Sequence, residues 1–167
     1  MDRVVAKARQ SEERGAQLTT AAFQDLLPGL TCFGCGPGND KGLRIKSYWV
    51  SQNEAICRFA PAPHHHGPPN IVNGGVIATV IDCHAVCTAM ADAYQRAGRG
   101  VGEGDFLPYV TGTLNIVYKA PTAMTPFDVV AAVEEVTDRK TMIACRVISE
   151  GNVTATARVV AIRYTPK

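Results

Sequence analysis

The sequence predicts an α+β chain in which an antiparallel sheet wraps around one long central helix, preceded by a helical extension. Three observations predict it. One apolar run, residues 74–96, is too long for a strand and carries no proline. Four β-rich runs fill the last third, parted by short turns. Two shorter β-rich runs, parted by a tight turn, precede the helix. The order is therefore β-β-α-β-β-β-β. Strands joined by short turns pair antiparallel. A helix that is apolar nearly all round must be covered on more than one side, and a second subunit is the natural cover.

Each element has a local reason. Residues 2–27 read as helix, with Val4, Val5 and Ala8 on one face and a possible restart capped by Thr19 or Thr20. Pro28-Gly29 ends it, so residues 1–30 form the extension and residues 31–167 the main domain. A Gly-rich turn region occupies residues 31–43. The first strand, over 43–50, alternates Ile45, Ser47 and Trp49 against Arg44, Lys46 and Tyr48. Ser51-Gln52-Asn53 turns the chain into a second strand beginning at Glu54. "PAPHHHGPPN" is a loop, because proline removes donors and fixes φ. The helix comes next, then a loose Gly-rich loop holding Gly98, Gly100, Gly102 and Gly104. The last four strands are joined by turns of the Thr-Pro, Asp-Arg-Lys and Gly-Asn kinds.

Composition narrows the function. The net charge is +2 and no Lys/Arg stripe is visible, which excludes a broad grip on nucleic acid. Charged residues make up 19%, below the usual quarter, which suits surface hidden in an oligomer. Asn73, Asp82 and His84 interrupt the most apolar segment, which argues against a membrane partner. The N-terminus has no apolar signal core, so a cytoplasmic location is expected. Of six cysteines, Cys57, Cys83, Cys87 and Cys145 sit in apolar stretches and read as small buried hydrophobes of a reducing compartment.

The residue that stands out is Asp82, a carboxylate in an apolar helix with no Lys or Arg within reach along the chain. Buried carboxylates are rare unless paired or used. It is expected in a dry cleft. There it would attack an acyl carbon to give a mixed anhydride, or act as general base on a water; the sequence does not choose between them. Gly74 and Gly75 open the helix, where free N–H groups and the positive dipole end polarise a carbonyl. Asn73 is an N-cap residue by type and a candidate side-chain donor to the same oxygen. His84 points to another face and reads as a satisfied core histidine. Structural zinc asks for four ligands, usually two Cys pairs; only Cys32 and Cys35 form a recognisable pair, so no metal is expected.

Three stretches carry a family resemblance. "CFGCGPGNDKGL" resembles a Cys-x-x-Cys-Gly…Gly-Leu opening. "HGPPNIVNGGVIATVID" resembles a His-Gly-Gly segment followed by an acidic residue nine positions after the His, which here is Asn73 followed by Asp82. "TGTLNIVYKAPT" resembles a strand ending in Tyr-x-x-Pro. Together they resemble the hotdog fold and, more narrowly, the PaaI-type acyl-CoA thioesterases. The resemblance implies hydrolysis of an acyl-CoA, with coenzyme A arriving as part of the substrate and no other cofactor. It implies a homodimer or a homotetramer built as a dimer of dimers. Gly74 and Asn73 of one chain would face Asp82 and Thr111 of another, with Thr111 helping to hold the attacking water. It also implies substrate contacts from Gly75, His65, Arg139 and Lys140, the last two near the phosphates of coenzyme A. Thr113 shares the parity of Thr111 and is expected on the same face. One position departs: Asn73 stands where the family carries His. The rival readings are a non-catalytic acyl-CoA-binding protein and an enoyl-thioester hydratase or dehydratase.

Overall fold

The computed structural model describes residues 21–165. The helix expected over residues 2–20, with its cap at Thr19 or Thr20, lies outside the described residues. The remainder of the extension forms a single 3-10 turn, Phe23–Leu26, in place of an α-helix. Tertiary packing overrides the helical pattern here. Phe23 is buried, with its ring 5.1 Å from that of Trp49. Its N–H donates to the Ser47 carbonyl at 2.9 Å, a bond that a continuing helix would make within itself. This end of the extension thus belongs to the core of the main domain.

One sheet holds six strands: β1 (Tyr48–Trp49), β2 (Glu54–Phe59), β3 (Tyr109–Tyr118), β4 (Phe127–Val136), β5 (Lys140–Ser149) and β6 (Asn152–Arg163). The helix α1 (Gly74–Arg96) joins β2 to β3. All pairs are antiparallel, in the order β1-β2-β4-β5-β6-β3. β4, β5 and β6 form the expected meander. β3 does not neighbour β4; it lies at the far edge, on β6. The Thr125-Pro126 stretch is therefore part of a crossover, not a hairpin turn. That crossover bonds to the segment before α1, through Val72 N–H to Thr122 O at 2.9 Å and Met124 N–H to Asn70 O at 3.2 Å. It fixes where the helix begins.

The first strand is shorter than expected. Ile45, Ser47 and Trp49 are buried as the alternation requires. Arg44 breaks the run with φ 54°, and Leu43 and Ile45 donate to Phe33 and Gly34 rather than to β2. The sheet wraps α1 because its middle row is small: Ala55, Ala131, Cys145 and Ala157 lie side by side facing the helix, all buried. Small side chains let the helix axis come close. By length and composition α1 would reach across a bilayer, but 61% of its most apolar window is buried inside this fold.

His84 is the core histidine anticipated. Its Nε2–H donates to the Ala55 carbonyl at 3.2 Å, and Nδ1 meets Ser47 Oγ at 2.8 Å. Burial lowers its pKa to about 4, so the ring is neutral near pH 7. Gln24 completes the network on Ser47. The Gly-rich loop after α1 is braced rather than loose. Arg99 donates to Glu103 O at 2.8 Å and lies over the Tyr94 ring, and Glu103 accepts from the Gly100 N–H. Gly102, at φ 83°, packs so close to Leu26 O that a Cβ would stand 2.4 Å from it.

Candidate active site

The start of α1 is built by its cap. Asn73 Oδ1 accepts the Gly75 N–H at 2.8 Å, and the Asn73 N–H donates to His65 O at 2.9 Å. Asn73 is therefore an N-cap whose carboxamide NH2 is the end left over. Gly75 spends its N–H on that cap. The Gly74 N–H finds no acceptor among the described residues. It is the open donor at the positive end of the helix.

The sequence marks Tyr118 only as the Tyr of the Tyr-x-x-Pro strand end, with no role in the site. Its hydroxyl donates to Gly74 O at 2.7 Å, and its ring lies in ordinary contact with the space a Gly74 methyl would fill. Desolvation raises its pKa, which keeps it a donor. Tyr118 pairs with buried Ala155 and so faces the helix, on the side opposite to the one that parity counted from Thr111 would give it.

Asp82 is half-buried, not enclosed as expected. Its Oδ1 accepts a hydrogen bond from the Thr111 hydroxyl. Among the described residues no cation pairs with it. It belongs to a helix stripe, Gly75, Thr79, Asp82 and Val86, that neither the sheet nor the loops fully cover. This stripe lies beside the edge strand β3. Thr111 and Thr113 do not share a face. A bulge at Gly112 puts Thr111 opposite Ala161, on the helix side, and Thr113 opposite Val160, on the other. One extra residue reverses the two-residue period.

The remaining candidates are dispersed. His65 accepts the Ala62 N–H on Nδ1 at 3.0 Å, which leaves the proton of the neutral ring on Nε2. Its ring stacks on Phe59. Burial, and then the neighbouring His64, lower its pKa. His65 thus stands next to the helix start through its carbonyl. Arg139 and Lys140 sit in the exposed β4–β5 turn, at the sheet end that carries Tyr109, opposite the Tyr118 end where α1 begins.

A second cluster lies behind Asp82. Cys32 Sγ stands 3.6 Å from Cys83 Sγ, and Cys35 Sγ 3.8 Å from Cys87 Sγ. The premise that only one cysteine pair exists is thereby corrected. Cys83 and Cys87, four apart, present both sulfurs on one helix face toward the loop pair. Hydrogen bonds from Cys83 and then Cys87 pull the Cys35 thiol down to about 3, while those of Cys83 and Cys87 are pushed up.

No family model matches the sequence. A thioesterase superfamily protein from Shewanella loihica is 30% identical, with a TM-score of 0.60; the match covers 77% of this chain and 98% of that one. This chain belongs to the thioesterase superfamily. The hotdog architecture and the PaaI-type resemblance agree with that membership. Acyl-coenzyme A thioesterase THEM4 of Xenopus laevis is 31% identical over 103 residues, 61% of this chain. That match spans only 40% of the frog protein's length. A Bacillus halodurans protein solved with CoA shares the fold, with a TM-score of 0.57 at 23% identity, over 75% of this chain and 77% of that one.

Proposed function

We propose that this chain hydrolyses acyl-CoA thioesters, at a site that two copies complete. The observation that carries this is the separation of two complementary groups. The free Gly74 N–H and the unpaired Asp82 carboxylate lie on one helix, eight residues and about 12 Å apart. One carbonyl needs its oxyanion donor and its attacking group each within about 3 Å. A single chain cannot bring these two together, whereas a second copy against the uncovered stripe of α1 and the free edge of β3 would. The ten-residue edge with exposed Val110, Val117 and Tyr118 suits such a cover.

In this reading the thioester oxygen takes the Gly74 N–H of one copy, with the Asn73 carboxamide beside it. Gly75 leaves room for the acyl group. Thr111 holds Asp82 Oδ1 of the other copy, so Oδ2 faces the carbonyl carbon. Either Oδ2 adds to that carbon, expels the thiolate of coenzyme A and leaves an anhydride for water to open, or it takes a proton from the water that attacks. Tyr118 steadies the first helical turn. His65, Arg139 and Lys140 are proposed substrate contacts, the last two for phosphates. The acyl-CoA thioesterase relative and the CoA-bound neighbour support the substrate class. The hydratase reading loses ground because His84 is buried with both ring nitrogens engaged.

A panel of acyl-CoAs, read by release of free thiol, tests the proposal. Release that disappears in Asp82→Asn supports it. Tight acyl-CoA binding without release would instead favour a non-catalytic binder.

A further inference from the structure

We propose that Cys32, Cys35, Cys83 and Cys87 form a structural zinc site that welds the loop over residues 31–43 to the middle of α1. Cys32, Cys35 and Cys83 hold their sulfurs within 4.8 Å of one another. The Cys87 sulfur lies 3.8 Å from that of Cys35 but outside the group of three, so it would close in on binding to complete the tetrahedron. Four sulfurs about 2.3 Å from one tetrahedral ion stand about 3.8 Å apart, near the 3.6 Å of the Cys32–Cys83 pair and the 3.8 Å of the Cys35–Cys87 pair. The donor set is all thiol, which selects a soft tetrahedral ion over calcium or magnesium. A loop pair with two residues between its members and a helical pair four apart supply the ligands, two from each element.

The loop is shaped for this approach. A Cβ on Gly34 would stand 2.3 Å from Cys83 Sγ, so only glycine lets the loop backbone pass so near the helix sulfur. A Cβ on Gly36 would stand 2.3 Å from the Cys32 N, so only glycine lets the turn curl Cys35 back over Cys32. The Gly36 N–H closes that turn on Cys32 O at 2.9 Å. The segment over 31–43 forms no strand, leaves Phe33 59% exposed and sets only Cys35 and Leu43 against the hydrophobic core. A metal would add anchorage. As zinc binds, the four thiols release their protons to solvent, and no coordination position stays open for substrate or water. The site is thus structural. Because Cys83 follows Asp82 directly, it also pins the helix turn that carries the carboxylate.

The test uses the full chain without a histidine tag, purified under reducing conditions and dialysed. Mass spectrometry of metals should find one zinc per chain. After zinc is removed with a chelator, Co2+ should bind one per chain, with sulfur-to-cobalt charge-transfer and tetrahedral d–d absorption. Zinc added back should displace it and raise the melting temperature by more than about 5 °C. Cys32→Ser, at the exposed position, should weaken cobalt binding at least tenfold; Cys145→Ser, buried away from the cluster, should leave it unchanged. No stoichiometric metal, cobalt spectra without thiolate bands, or a Cys32–Cys83 disulfide seen by mass in the reduced preparation would each overturn the proposal.

Discussion

Asp82 accepts from Thr111 on one oxygen and has no cationic partner among the described residues, which leaves its other oxygen open for the role proposed for it. Asp82→Asn keeps the Thr111 contact and the shape but removes the proposed base or nucleophile. Thiol release should fall at least about 100-fold, with an unchanged circular dichroism spectrum. Gly74→Ala probes the other half of the site. The protein has room for the methyl, which would meet the Tyr118 ring at 3.5–3.7 Å, an ordinary contact. The melting temperature should hold while kcat/KM drops at least about tenfold, because the methyl crowds the carbonyl away from the N–H. His84→Ala acts through stability alone. It takes the acceptor from the Ser47 hydroxyl proton and the imidazole donor from the Ala55 carbonyl, and opens a cavity; urea titration should show a loss of about 3 kcal/mol.

At the scale of elements, α1 is covered by the sheet along one side and by the 31–43 loop along another. The stripe of Gly75, Thr79, Asp82 and Val86 remains partly open. A helix this apolar leaves such a stripe open only at a cost, unless another surface closes it. Val86→Lys puts a charge into that stripe one turn from Asp82. Sedimentation should then show at least a tenfold weaker association between copies, and turnover should fall with it, while the helix content stays the same. The Gly112 bulge matters at this scale too, since it alone turns Thr111 toward α1 and sends Thr113 to the opposite face.

For the whole molecule, the decisive experiment mixes two inactive variants. If each site joins Gly74 of one copy to Asp82 of the other, a mixed dimer of Gly74→Val and Asp82→Asn chains contains one intact site. Random re-pairing at equal amounts should restore about a quarter of the wild-type rate. No recovery would place both groups in one chain and contradict the shared site. If a second copy covers the open stripe of α1, that same cover would enclose Asp82, which is only half-buried here.

What the sequence determined by itself is local. The N-cap type at Asn73, the run to Arg96, the alternation of Ile45, Ser47 and Trp49 and the four closing strands are all written in neighbouring residues. There, backbone hydrogen bonding and apolar periodicity act over a few positions. Asp82 stood out for the same reason, as a carboxylate among apolar neighbours. Tertiary structure alone decided the rest. It moved β3 to the far edge and reversed Thr113 through a bulge. It drew Phe23 out of a helix, set Tyr118 against Gly74, and gathered cysteines 51 and 52 residues apart into one cluster. Those outcomes depend on which surfaces pack together across the fold, and packing between distant segments leaves no periodic trace along the chain.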